Sequence, residues 1–134
     1  MTLPAIHIER STSGHPMSVT GRFRKRPTEV VATRWWANGD HPDDGVGEEA
    51  IDPVSGQTYL RVEGAVVRFF RDPFTPGTNA CAHCGYTMHD HGWIDTLEGG
   101  HIVCPGDWIV TGVKNERYPV KPDIFVVTYE PVAE

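Results

Sequence analysis

Cys81-Ala-His-Cys84-Gly85 is the stretch that most constrains this chain. Two thiols separated by two residues can chelate one tetrahedral ion, and the glycine directly after them permits the tight turn around it. His89, His91, His101 and Cys104 follow closely. His91 stands just before Gly92 at the start of an expected strand, and Cys104 ends the next strand, ahead of Pro105-Gly106-Asp107. An antiparallel pair turning at Glu98-Gly99-Gly100 carries Cys104 back towards His91. Cys81, Cys84, His91 and Cys104 are therefore expected to hold a structural Zn2+, using all three thiols of the chain. His89 is the alternative fourth ligand, because its i, i+2 spacing puts it on the same face as His91 in extended chain. His83 lies inside the knuckle, and His101 falls on the opposite strand face from Cys104, so neither suits the set. A redox dithiol would open a helix in a βαβ setting, which the neighbouring sequence lacks.

Around the cluster the sequence reads as strands and turns. Gly (14) and Pro (11) are frequent enough in 134 residues to keep elements short, which favours β over helical architecture. Strands are expected at Thr28–Trp36, Trp93–Leu97, His101–Cys104, Trp108–Thr111 and Arg117–Val120, the last four paired in a meander. Gln57–Arg71 reads as a hairpin turning at Glu63-Gly64. Residues 38–56 read as a long solvated loop, because their acids lack the ordered spacing of a hard-cation site. Asp107 reads as a turn former that caps local amides, and Asp123 as a helix N-cap ahead of FVVTY, a segment readable as helix or strand. The expected class is thus mainly β: a small antiparallel sheet or partly closed barrel built from hairpins, with a zinc-knuckle loop at about 80–92 and at most one short helix. Residues 1–20 are expected to be a flexible arm, and residues 21–134 one domain.

Arg22, Arg24, Lys25 and Arg26 concentrate positive charge in a chain whose formal net charge is -6. They read as a solvated strand edge or as a contact for an acidic partner or nucleic acid, with Trp35 or Trp36 available to stack on bases. The overall negative charge argues against nucleic acid as the main partner. No apolar run approaches the length of a membrane span. The opening MTLPAIHIERSTSGHP has neither a basic nor an apolar signal region, so export is not expected and metal ligation is favoured over a disulfide framework.

Two segments carry a family resemblance. FRKRPTEVVATRWW (23–36) and TLEGGHIVCPGDWIVTGVKNERYPVKPDIFVVTYEPV (96–132) together cover more than a third of the chain. They resemble a family of small bacteriophage and prophage proteins, and the insert between them is similar to versions from actinobacterial phages. The resemblance implies a phage-encoded protein in a bacterial cytoplasm or a virion, and it brings no established activity. Asn115 stands where the family motif has a turn glycine; Asn tolerates positive φ, so the turn is expected to persist.

The expected function is non-enzymatic: a zinc-stabilised accessory domain binding a host protein or a virion component. The competing expectation is a metal-dependent enzyme, in which three of these residues hold zinc, water takes the fourth position and His89 or a nearby acid serves as base. Binding of nucleic acid through Arg22–Arg26 is the third.

Overall fold

The computed structural model describes residues 7–10 and 16–133. Among these, short strands fall into four small antiparallel sheets, with no closed barrel and one short helix. The mainly β, hairpin-built class read from the sequence holds. Within the segment expected to be an arm, β1 (His7–Arg10) pairs with β2 (Pro16–Thr20); residues 1–6 and 11–15 of that segment lie outside the described residues.

β3 (Val31–Arg34) is shorter than the strand expected over Thr28–Trp36, but its pairing continues past its end. The Trp35 N–H donates to Asp107 O at 2.8 Å, and Gly106 N–H donates to Trp35 O at 2.7 Å. Trp35 is thereby driven into the main core, where it joins Val66, Val67, Ile94, Val103 and Ile109. Its neighbour Trp36 points the other way, half-exposed beneath the Arg34 guanidinium at 4.6 Å from the ring centroid.

The hairpin expected over Gln57–Arg71 does not form. β4 (Glu49–Ile51), from the segment read as a solvated loop, pairs with β5 (Thr58–Leu60), while β6 (Arg68–Phe69) pairs with β7 (Gly92–Thr96). Asp44 is the reason. Fully buried, it accepts the N–H groups of Val66 and Val67 on Oδ1 at 2.9 and 3.0 Å, and its backbone O accepts Ala65 N–H at 3.0 Å. Those are donors that the return arm of a hairpin would have used. Gly64 lies so close to the Asp44 carboxylate that a Cβ there would collide with it. The loop is therefore a folded clasp around one carboxylate.

The expected meander is also broken in one place. β7 pairs with β8 (Gly99–Val103), and β9 (Trp108–Thr111) pairs with β10 (Arg117–Val120) and β3, but β8 and β9 belong to different sheets. Asp107 redirects the chain between them, accepting Cys104 N–H on Oδ2 at 2.9 Å and returning its own N–H to Cys104 O at 3.0 Å. The β7–β8 turn is Leu97-Glu98, one step earlier than read, because Thr96 pairs with Gly99. Gly99 takes φ +106, and the Trp93 ring covers Gly100, which brings both glycines into the strand. Asn115 does adopt positive φ, at 63°, and holds the β9–β10 turn.

FVVTY becomes helix. α1 (Pro122–Thr128) starts with Pro122 at its first helical position, so Lys121 and not Asp123 is the capping residue. Tertiary contact overrides strand propensity here: the Phe125 ring stacks on Trp108 at 4.1 Å and on Tyr129 at 4.9 Å. No helix among the described residues is long and apolar enough to cross a membrane.

Candidate metal centre

The knuckle is a closed miniature hairpin. Cys81 N–H donates to Tyr86 O at 2.8 Å, Met88 N–H to Asn79 O at 2.8 Å, and Ala80 bridges Thr87. Gly85 makes the reversal possible at φ +79, donating its N–H to Cys81 O at 2.9 Å. A 3-10 turn, Met88–Asp90, then sets His91 at the entrance to β7. On the far side the β7–β8 register matches Gly92 with Val103, so one step further His91 faces Cys104. Local turn and sheet register thus deliver the four residues from opposite directions.

One ligand atom from each of Cys81, Cys84, His91 and Cys104 lies within 4.8 Å of all the others. Cys81 Sγ and Cys104 Sγ are 3.8 Å apart, and Cys84 Sγ is 3.2 Å from His91 Nε2. Two thiolates bound to one tetrahedral ion at ~2.3 Å stand about 3.8 Å apart, while a disulfide would bring the sulfurs to about 2.05 Å. The thiols are free, and their spacing matches the edge of a metal tetrahedron. His91 is buried, at 4% exposure, and its Nδ1 lies 2.8 Å from Thr87 O. A carbonyl only accepts, so Nδ1 carries the proton and Nε2 presents its lone pair to the sulfurs. Met88, Phe70 and Ile102 wall the cluster with apolar surface, separate from the main core.

The electrostatics favour thiolate at one end. Burial opposes ionisation of Cys81, but hydrogen bonds from the Cys84 and His83 amides bring its pKa down to about 6. Burial pushes the Cys104 thiol up to about 12 against the pull of Lys121. A cation bound between them would displace the remaining protons, as metal ligation by thiol requires. The four residues can therefore hold a metal ion.

His89, the alternative ligand, is not in the cluster. Its N–H donates to Gly77 O at 2.8 Å, and its ring packs against Gly77 where a Cβ would collide. His83 and His101 are exposed outside the cluster. The acids of residues 38–56 form no comparable group among the described residues. They cap and pair instead: Asp40 accepts the N–H groups of Trp36 and Ala37, and Asp43 pairs with Arg117 at 2.6 Å.

Arg22, Arg24, Lys25 and Arg26 are exposed in an extended link that belongs to no strand, so they do not guard a sheet edge. Lys25 Nζ stands 5.3 Å from the centroid of the Tyr129 ring. Beside the metal centre, Trp36, Phe69, Tyr86, Arg68 and His89 line a cleft of about 640 Å3 that also touches His91. The rings of Trp36, Phe69 and Tyr86 are each about half-exposed there. Sequence reading placed Trp36 near a ligand-stacking role but did not join it to Tyr86 or Phe69, because their meeting depends on β6 pairing with β7.

No family model, no curated protein and no solved structure matches this chain.

Proposed function

We propose that this chain is a zinc-stabilised, non-enzymatic binding domain that engages a protein partner through the aromatic cleft beside its metal centre. The observation that carries the reading is the donor set: four protein side chains whose ligand atoms lie within 4.8 Å of one another can fill every position of a tetrahedral ion and leave none for water. Three thiolates and an imidazole suit zinc, and such a site orders a turn-rich loop that buries little apolar surface of its own. The knuckle contributes Tyr86, His89 and Asp90 to the cleft wall, so ordering the loop shapes a surface where exposed aromatic rings are costly unless used. The phage-family motifs support a partner that is a host protein or a virion component, in a bacterial cytoplasm or a particle.

The test has two arms. Metal analysis of chain purified without chelator should return about one zinc per chain, with X-ray absorption showing four protein donors at about 2.0–2.3 Å. A water in the coordination sphere, with turnover of any substrate, would replace this reading by the enzymatic one. Pull-down from phage-infected cells, and detection in purified virions, should recover a partner that Trp36→Ala plus Tyr86→Ala loses. Binding that survives the double variant would move the partner surface elsewhere.

A further inference from the structure

Lys121 stands between β10 and α1, beside the metal centre. Its Nζ lies 3.0 Å from Asp107 Oδ2 and 3.2 Å from Asp107 Oδ1. The Asp107 side chain is only 2% exposed, and its Oδ2 is the atom that accepts the Cys104 N–H. One cation therefore neutralises a buried carboxylate that itself holds the backbone of a ligand cysteine.

The charge count explains why a cation belongs there. Three thiolates and a neutral imidazole around a divalent ion leave the centre with one net negative charge. The Asp107 carboxylate adds another within the same half-buried region, where like charges repel more strongly than in water. We propose that Lys121 is the counter-charge of this metal centre: paired with the buried Asp107 carboxylate that holds the Cys104 amide, it offsets the excess negative charge beside the thiolates and so raises metal affinity. Lys121 acts as a positioning residue through Asp107, whose Oδ2 accepts the Cys104 N–H. Pro122 restricts its backbone to extended conformations, and its place ahead of α1 sets the direction of its side chain.

This inference rests on the metal reading above, and the experiment separates the two. Zinc affinity is measured on the full chain by competition with a chromophoric chelator, for wild type, Lys121→Met and Lys121→Arg. Loss of an outer-shell partner typically weakens metal binding by about 10- to 100-fold, so Lys121→Met should lose about tenfold while Lys121→Arg stays within about threefold. The cobalt-loaded protein should show a shifted thiolate-to-metal charge-transfer band in Lys121→Met but not in Lys121→Arg. If Lys121→Met does not fold, Lys121→Gln keeps a polar side chain without the charge and is read in the same way. Equal affinity and an unshifted cobalt band in the uncharged variant would overturn the proposal alone. A loss as large in Lys121→Arg would also overturn it, since packing and not charge would then matter. A wild-type chain that takes up no zinc would bring down the metal reading, and this inference with it.

Discussion

His91 is fixed from behind by Thr87: its Nδ1–H donates to the Thr87 carbonyl at 2.8 Å, which leaves Nε2 facing Cys84 Sγ at 3.2 Å. The acceptor is main chain inside the knuckle, so the imidazole is oriented only while the knuckle is closed. Metal and loop should therefore order one another. On chelation, amides of residues 79–91 should lose hydrogen-exchange protection while those of β9 keep theirs, because β9 is held by β3 and β10. The melting temperature should fall without loss of the cooperative transition. Simultaneous loss of protection in β9 would show that the sheets need the ion, contrary to this account.

The fourth ligand can be tested by paired variants. Cys104→Ser should sharply reduce zinc affinity, whereas His89→Ala should leave zinc stoichiometry unchanged, since the His89 ring packs on Gly77 away from the sulfurs. Metal analysis of both proteins decides it. The reverse result would put His89 in the site in place of Cys104.

The site was more legible in the sequence than the path of the chain around it. Spacing alone pairs Cys81 with Cys84, and a hairpin turning near Glu98 brings Cys104 back towards His91, but setting the two opposite each other takes the turn at Leu97-Glu98 and not the one at Glu98-Gly99-Gly100. The β4–β5 pairing was hidden because it depends on Asp44 capturing the amides of Val66 and Val67, more than twenty residues away, and an isolated Asp in an acidic loop looks solvated. FVVTY was ambiguous for a similar reason. Its local preference is strand, and only the Trp108 ring, from another part of the chain, tips Phe125 into a helix. Nothing local marks Lys121 as a partner of Asp107.

Asp44 should be among the costliest residues to replace. It is completely buried and serves Val66 and Val67 through one oxygen and His41 N–H, at 3.3 Å, through the other. Hydrogen bonds to a charged acceptor are worth about 1.5–3 kcal/mol each, and losing them strands buried donors, so Asp44→Ala should cost about 3 kcal/mol or more in denaturant unfolding. Zinc stoichiometry of the folded fraction should be unchanged. A loss under about 1 kcal/mol would mean that water replaces the carboxylate.

His41 gives the fold a pH dependence of known sign. Burial, and then the nearby Arg117 charge, lower its pKa below the ordinary value of 6.5, outweighing Asp44 and Asp43. The unfolded chain therefore binds the proton more readily than the folded one. Stability contributed by neutral His41 is complete above pH 6.5 and declines as pH falls towards the lower folded value. His41→Asn, which retains an acceptor for Asp43 N–H, should flatten this part of the stability profile between about pH 7.5 and 5.5. Comparing the two proteins in urea at each pH cancels the metal centre's own pH response, which both share. Parallel profiles would show that His41 titrates alike in the folded and unfolded chains.

Phe125 is the single ring on which α1 depends. It lies between Trp108, with planes only 7° apart, and Tyr129. Tyr129 is tied in turn to Tyr118, their hydroxyls 3.2 Å apart. The exposed side chains Ile124, Val126 and Val127 give the helix no comparable anchor, and seven residues are too few to hold a helix in water unaided. Aromatic pairs contribute about 0.5–1.5 kcal/mol beyond area burial, so removing a ring shared by two of them, only partly buried, should cost about 2 kcal/mol. Phe125→Ala should therefore lower stability by that amount and melt α1, exposing Trp108 and shifting its fluorescence to the red. Phe125→Tyr, which keeps the stack, should behave as wild type. An unchanged helix signal in Phe125→Ala would show that Pro122 and the Tyr118–Tyr129 contact suffice to hold the segment.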